Sequence, residues 1–208
     1  MTVLAFGGAS VDGALYSWVT GLARHTPHPV NTVIAAWSDY GLALFAVLMV
    51  AAWWRARRAG GVPRSAGEPL MVRALAAPVV VVVCYAVNSL VKSVFDEQRP
   101  CRTLHTVTVA ACPAVGDWSF PSNHAVIAAA AAVALVLADR RLGLVAAPTA
   151  VLMGVSRVWI GVHYPHDVAV GLALGAALAW VLTLLADRAA PLVDRVAATR
   201  LRPLVTAS

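Results

Sequence analysis

Hydrophobic positions along this chain come in long unbroken runs rather than in alternation. Five runs approach the length a helix needs to cross the apolar core of a bilayer, roughly 20 residues at about 1.5 Å each. They cover about residues 32–54, 70–91, 122–138, 142–160 and 168–186. The first closes on Trp53-Trp54, a pair suited to the membrane–water interface. The second contains Pro78, which a membrane helix tolerates when neighbours re-satisfy the freed carbonyl. Residues 125–138 and 168–186 carry no charge at all. Before residue 30 the pattern changes. Val11, Leu15, Trp18, Val19 and Leu22 recur at helical spacing behind Ser10, a candidate N-cap. That spacing predicts an amphipathic helix lying in the interface. A sixth span is the alternative, against which stand Asp12 and the glycines at 7, 8 and 13. The expected fold is all-α: one domain over 1–208, a polytopic bundle of five transmembrane helices with an N-terminal interfacial helix and a cytoplasmic tail at 187–208.

Composition agrees with the pattern. Of 208 residues, 60% are hydrophobic and 12% charged, and the mean hydropathy is +0.76. A soluble domain of this size would carry far more polar surface. The net charge of +6 does not point to nucleic acid, because no basic face is interleaved with aromatic residues. The arginines sit in blocks between the apolar runs: Arg55, Arg57, Arg58, Arg64 and Arg73, then Arg140 and Arg141, then Arg188, Arg195, Arg200 and Arg202. With five spans all three blocks fall on one side, which the positive-inside rule makes cytoplasmic. The loop 92–121 and the turn around His163 then face outward. The first residues lack a positively charged segment, so no cleavable signal peptide is expected.

Against this apolar background, three polar clusters stand out. Lys92 is followed six residues later by Arg99-Pro100; Pro121-Ser122-Asn123-His124 opens the third run; Ser156-Arg157 is followed by His163 and Asp167. Arg157 interrupts an apolar run near a helix end, where an isolated charge is costly and needs a partner. Snorkelling to the interface would account for Arg157 alone, but not for Lys92 and Arg99 at the same depth. Three cations there favour an anion site, since arginine's planar fork suits phosphate oxygens and lysine adds a point charge. Ser122 is placed to cap a helix whose free N–H groups would also bind phosphate. Asn123 tolerates unusual backbone angles nearly as glycine does. His163 and Asp167 stand four apart, so on a helix the carboxylate can fix one imidazole nitrogen and leave the other to attack. His166 competes for that role but has the poorer spacing to Asp167.

Two smaller features complete the reading. Cys101 and Cys112 share the outer loop and are candidates for a disulfide in an oxidising compartment. Cys84 lies mid-run as an apolar filler, and no cysteine–histidine spacing suggests zinc. Gly171 and Gly175 could mark a homodimer face, or pack against another helix of the same chain. Asp39 falls near the outer end of the first run, as a candidate pocket residue.

Together the clusters resemble the type-2 phosphatidic acid phosphatase family, whose pattern is KxxxxxxRP, PSGH and SRxxxxxHxxxD. All three occur here in order, with Asn123 in place of the glycine. The stretches Gly21-Leu22-Ala23-Arg24-His25, Ser38-Asp39-Tyr40 and Ser156 to Pro165 are similar to its bacterial undecaprenyl-diphosphate phosphatase branch, the BcrC type. The resemblance implies a metal-independent and cofactor-free hydrolase of a polyprenyl diphosphate in the bacterial plasma membrane, with its site on the extracytoplasmic side. Lys92, Arg99, Arg157, Ser122 and backbone N–H groups at Asn123 would hold phosphate. His163 would attack to form a phosphohistidine, Asp167 would orient it, and His124 would protonate the leaving oxygen. Other lipid phosphates, phosphatidate and phosphatidylglycerol phosphate among them, are the alternative substrates. Vanadate-dependent haloperoxidases share the site pattern but are soluble. A non-catalytic lipid-phosphate transporter would not need both His124 and His163.

Overall fold

The computed structural model describes residues 7–59 and 70–205, and every regular element among them is helical. The helices are α1 (Ala9–His25), α2 (His28–Tyr40), α3 (Leu42–Ala59), α4 (Leu70–Lys92), the single turn α5 (Pro100–Thr103), α6 (Asn123–Ala138), α7 (Arg140–Trp159), α8 (Pro165–Ala186) and α9 (Ala190–Ala197). Arg64 of the first arginine block lies outside the described residues.

The centre of the bundle is α6. Ala125, Val126, Ala128, Ala130, Ala131, Ala134 and Leu135 have essentially no exposed surface. Alanine carries the least side chain a helix can have and still favours helix, so α4, α7 and α8 approach α6 closely on all sides. Gly171 and Gly175 of α8 continue that logic. A Cβ at Gly171 would lie 2.9 Å from the Ser122 carbonyl oxygen, and one at Gly175 would collide with Val126. The glycine pair therefore packs within the chain, on α6. Around this core an outer belt of Val47, Val50, Val79, Val82, Leu144, Leu152, Val155 and Val181 is more than half exposed. An apolar belt of that extent belongs against lipid.

Among the described residues, three helices are long and apolar enough to cross a membrane: α4, α7, and α8 with its continuation to Ala197. The first run differs from its expected single span over 32–54. It breaks at Gly41 into α2 and α3, which bend by 50° and pass the length test only together. Gly41 packs where a Cβ would lie 2.5 Å from the Trp37 carbonyl oxygen and 2.8 Å from Met153 Cε, so the close approach requires glycine. The third run forms a helix of only 16 residues, about 24 Å at 1.5 Å per residue. Its neighbours enclose it, so it need not match the bilayer thickness. After α8 the chain forms a 3₁₀ turn (Asp187–Ala189), α9, and a second 3₁₀ turn (Arg202–Leu204), and the Trp53 indole donates to the Leu204 carbonyl at 2.9 Å.

Chain direction sorts the polar groups to two ends. At one end Arg73 of α4 reaches Asp187 after α8 and the Leu137 carbonyl of α6. Arg55 of α3 pairs with Asp139, which also accepts from the Arg141 and Leu142 N–H groups and so caps α7. At the opposite end lie the C-termini of α4 and α7 and the N-termini of α6 and α8, joined by the loop 93–122. All three polar clusters of the sequence meet there. The Cys101–Cys112 disulfide is formed within that loop, and Cys84 is a buried free thiol in the core.

Candidate active site

Each cluster is positioned by a helix end. Lys92 closes α4, and its Nζ donates to the Trp118 carbonyl at 2.7 Å. Arg99 precedes α5 and is 5% exposed. Its Nε donates to the Asp117 carbonyl and its Nη2 to Asp117 Oδ1, both at 2.9 Å. Its Nη1 reaches the Val162 carbonyl at 2.9 Å and His163 Nε2 at 2.8 Å. Arg157 lies in the last turn of α7 and is 9% exposed. Its Nη1 donates to Ser38 Oγ at 2.8 Å, while its Nε is buried without a partner. Ser38 lies in the last turn of α2, just before the bend at Gly41. Asp39, exposed at the same place, acts on Arg157 through its charge.

Between α7 and α8 the chain turns sharply at Gly161, whose φ is +89°, where an L side chain would be strained and a Cβ would strike Thr108. The turn presents His163, and Tyr164-Pro165 then start α8, proline fitting the first helical position. Asp167 in that first turn accepts the Tyr164 N–H at 2.8 Å, His163 Nδ1 at 3.2 Å and the Ser119 hydroxyl, all on Oδ2. These partners assign the His163 tautomer. Nδ1 faces a carboxylate and so carries the proton. Nε2 faces a guanidinium, which cannot accept, and so presents a lone pair. Burial, then the charges of Arg99, Arg157 and Lys92, hold the His163 imidazole well below its ordinary pKa. It is therefore neutral, the form able to attack.

The third cluster is modified from its expected detail. Ser122 occupies the N-cap position of α6, but its hydroxyl makes no capping bond and is a buried group without a partner. Its backbone N–H donates to the Asp167 carbonyl at 3.1 Å, tying α6 to α8. Asn123 does not use unusual angles; among the described non-glycine residues only His105 has positive φ. Instead Asn123 Oδ1 accepts from the Asn88 side chain of α4 at 2.6 Å. The position therefore does not demand glycine. His124 follows, partly buried, in the field of Arg157, Arg99 and Lys92, the same three charges that act on His163. His166 does not compete as nucleophile, because both its ring nitrogens face carboxylates: Asp12 at 2.8 Å and Glu97 at 3.2 Å.

Ser38, Asn88, Asp117 and Ser119 join the site from outside the three motifs. Ser38 carried a signal, since it heads the Ser38-Asp39-Tyr40 stretch. Asp117 and Ser119 lie in an irregular loop, where no period predicts which side chain turns inward.

This arrangement gathers three cations and two histidines at one end of the bundle, with buried donors on Arg157 and Ser122 left over for an anion. A neutral imidazole with a lone pair on Nε2 sits beside them. The model of one family, the PAP2 superfamily, matches residues 73–190, more than half of the chain. The chain belongs to the PAP2 superfamily. Its long apolar helices and exposed apolar belt make it a membrane protein, and the relatives it resembles are lipid phosphatases. The undecaprenyl-diphosphatase BcrC of Bacillus subtilis (strain 168) is 26% identical over 184 residues, 88% of each chain. The decaprenylphosphoryl-5-phosphoribose phosphatase of Mycobacterium tuberculosis is 42% identical over 98 residues, 45% of this chain and 50% of that protein. Among solved structures, a transmembrane PAP2-type phosphatidylglycerolphosphate phosphatase from Bacillus subtilis superposes with a TM-score of 0.56 at 22% identity, covering 85% of this chain and 86% of that one. That likeness is one of fold. The three motifs of this PAP2 chain fall at 92–100, 121–124 and 156–167, all inside the matched segment.

Proposed function

We propose that this PAP2 protein hydrolyses a polyprenyl diphosphate to the monophosphate and inorganic phosphate, at the extracytoplasmic face of the bacterial plasma membrane, and so recycles a lipid carrier of cell-wall synthesis. The observation that carries the reaction is the pair of bonds on His163, with Nδ1 on Asp167 and Nε2 on Arg99. The similarity to the undecaprenyl-diphosphatase over 88% of both chains supports the choice of lipid. The arginine-rich opposite end of the bundle supports the sidedness.

In this reading Lys92, Arg99, Arg157, the Ser122 hydroxyl and N–H groups at the start of α6 hold the terminal phosphate. An incoming phosphate oxygen takes over the Arg99 donor and frees the Nε2 lone pair. Nε2 then forms a bond to phosphorus as the bridging P–O bond breaks, and His124 protonates the departing oxygen. Asp167 stabilises the resulting imidazolium character through Nδ1–H. His124, now a base, takes a proton from water, which displaces the phosphate from His163. Charge on the equatorial oxygens rises during each transfer, and fixed cations lower the energy of that state.

A second reading has a specific observation behind it. The 42% identity to a phosphatase of a phosphorylated decaprenyl sugar falls on a limited segment of the chain but is the higher of the two identities. A glycosylated polyprenyl phosphate would then be the substrate, with a monoester rather than an anhydride broken. Purified protein in detergent with EDTA present, offered both lipids and phosphatidate side by side, tests the reading. Faster phosphate release from the diphosphate is expected. Preference for a monoester would replace it with the second reading.

A further inference from the structure

Behind Asp167, on the side away from His163, lies a buried cluster that the proposed reaction does not use. His166 sits in the first turn of α8. Its ring stacks on Tyr164, with centroids 5.3 Å apart and planes 19° apart, and Phe120 lies 5.9 Å away. The ring is thereby held in one orientation. Its backbone N–H donates to Asp12 Oδ2 at 2.7 Å, and its Nδ1 meets Asp12 Oδ1 at 2.8 Å. Asp12 reaches this place because α1 kinks at that residue, where φ is −148° and ψ 26°. His166 Nε2 points the other way, at Glu97 Oε1 and Oε2 (3.2 and 3.3 Å) and at Asp167 Oδ1 (3.5 Å).

The donors here are too few. Glu97 is 1% exposed and Asp167 0%. Both oxygens of Glu97 face the single Nε2, and Asp167 Oδ1 is buried with no hydrogen-bond partner. A buried carboxylate oxygen without a donor, as Asp167 Oδ1 is, is costly, and a cation relieves it. One imidazole nitrogen and two carboxylate oxygens lie within 4.8 Å of one another. Bonds of about 2.0–2.1 Å in a tetrahedral zinc site place ligand atoms about 3.3 Å apart; the two separations from Nε2 are 3.2 and 3.5 Å. Asp12 on the far nitrogen supplies the carboxylate–histidine–metal relay that orients ligating imidazoles. Magnesium would want an octahedron of oxygens instead.

We propose that His166, Glu97 and Asp167 bind one divalent transition-metal cation of the zinc type, with Asp12 fixing the His166 tautomer. The cation takes no part in holding phosphate. It shares Asp167 with the nucleophile: Oδ2 serves His163 while Oδ1 serves the metal. Charge drawn toward the metal weakens the support for His163, so the ion acts as an inhibitor.

The test uses full-length protein in detergent, stripped with EDTA, titrated with zinc chloride by calorimetry and checked by elemental analysis. One zinc per chain is expected, undisturbed by inorganic phosphate. Glu97→Gln and His166→Gln each weaken binding tenfold or more, and Asp12→Asn by about tenfold. No zinc on the wild-type chain, or equal zinc on wild type and the Glu97→Gln variant, overturns the site. Glu97→Gln is nearly isosteric, so it decides the matter if His166→Gln fails to fold. This arm needs no substrate and stands apart from the choice of lipid. In the activity arm, zinc slows phosphate release by wild type and leaves the Glu97→Gln variant unaffected. Unchanged release from zinc-loaded wild type overturns the inhibitory role.

Discussion

At one end of the bundle Arg73 meets Asp187 through two hydrogen bonds of 2.9 and 2.8 Å, Arg55 meets Asp139, and Arg57 and Arg58 lie over the Trp53 and Trp54 rings. At the other end Lys92 donates to a carbonyl and Arg157 to a serine, and only Arg99 has a carboxylate, Asp117, which is half exposed. Both ends hold several cations. The first end ties Arg55 and Arg73 to carboxylates that join helices; the second leaves positive charge in a partly buried place. Paired arginines join helices, whereas under-paired ones create a demand for an anion. Under the proposed function, the first end should hold the fold and the second the phosphate.

The largest effect that would break this comparison is on the nucleophile. His163→Ala at the substrate end should lower phosphate release by about 10⁴-fold or more, since removing one member of a nucleophilic unit removes its function. Retained turnover, read as inorganic phosphate from a lipid diphosphate, would take His163 out of the reaction. His124→Ala should follow with a loss of about 10²–10⁴-fold. A leaving group with a low pKa should restore part of that loss, and an equal loss on all leaving groups would contradict the acid role. Arg157→Lys keeps the charge but loses the fork, so a drop of about 10² in kcat/KM is expected. Equal activity would mean that only charge matters there.

The opposite end should respond in stability instead. Arg73→Ala should cost about 2 kcal/mol, because charge-assisted bonds between α4 and the end of α8 are lost. Turnover per folded molecule should stay at the wild-type value, and a fall in kcat with unchanged Tm would erase the distinction between the ends. Asp139→Asn should cost about 0.2–1 kcal/mol, because asparagine still caps α7 but loses the ion pair to the half-exposed Arg55. Burial alone would raise the Asp139 pKa, but the Arg55 hydrogen bond and the Leu142 and Arg141 N–H groups outweigh it and hold it below its ordinary value. Its contribution is thus fully present above the unfolded carboxylate's pKa of about 3.9 and is lost as pH falls through the lower folded value. The Tm gap between wild type and Asp139→Asn should be constant from pH 8 to 5 and close below about pH 4.

Most of the helices were legible because a membrane span is written as a continuous apolar run, with little else for it to be. The bend at Gly41 was not legible, since the close approach there to the Trp37 carbonyl, with Met153 of α7 packed alongside, is set in three dimensions. The shortness of α6 followed from its enclosure by other helices, which composition alone does not reveal. At the site, the cations and His163 with Asp167 stood out because charge is scarce in this chain. Asn123 was read for its backbone freedom, yet its side chain meets Asn88, a pairing 35 residues apart.

By itself, the order of residues determined an all-helical membrane protein, the three motif clusters and the residue types able to move a phosphoryl group. Apolar length and the rarity of charge are local properties, readable one segment at a time. Only the tertiary structure decided which nitrogen of His163 is free, that His166 turns toward Asp12 and Glu97, and that two faces of Asp167 meet different neighbours. Those outcomes depend on distances between α1, the outer loop and α8. Such distances are set by packing against the alanine helix at the centre rather than by any spacing along the chain.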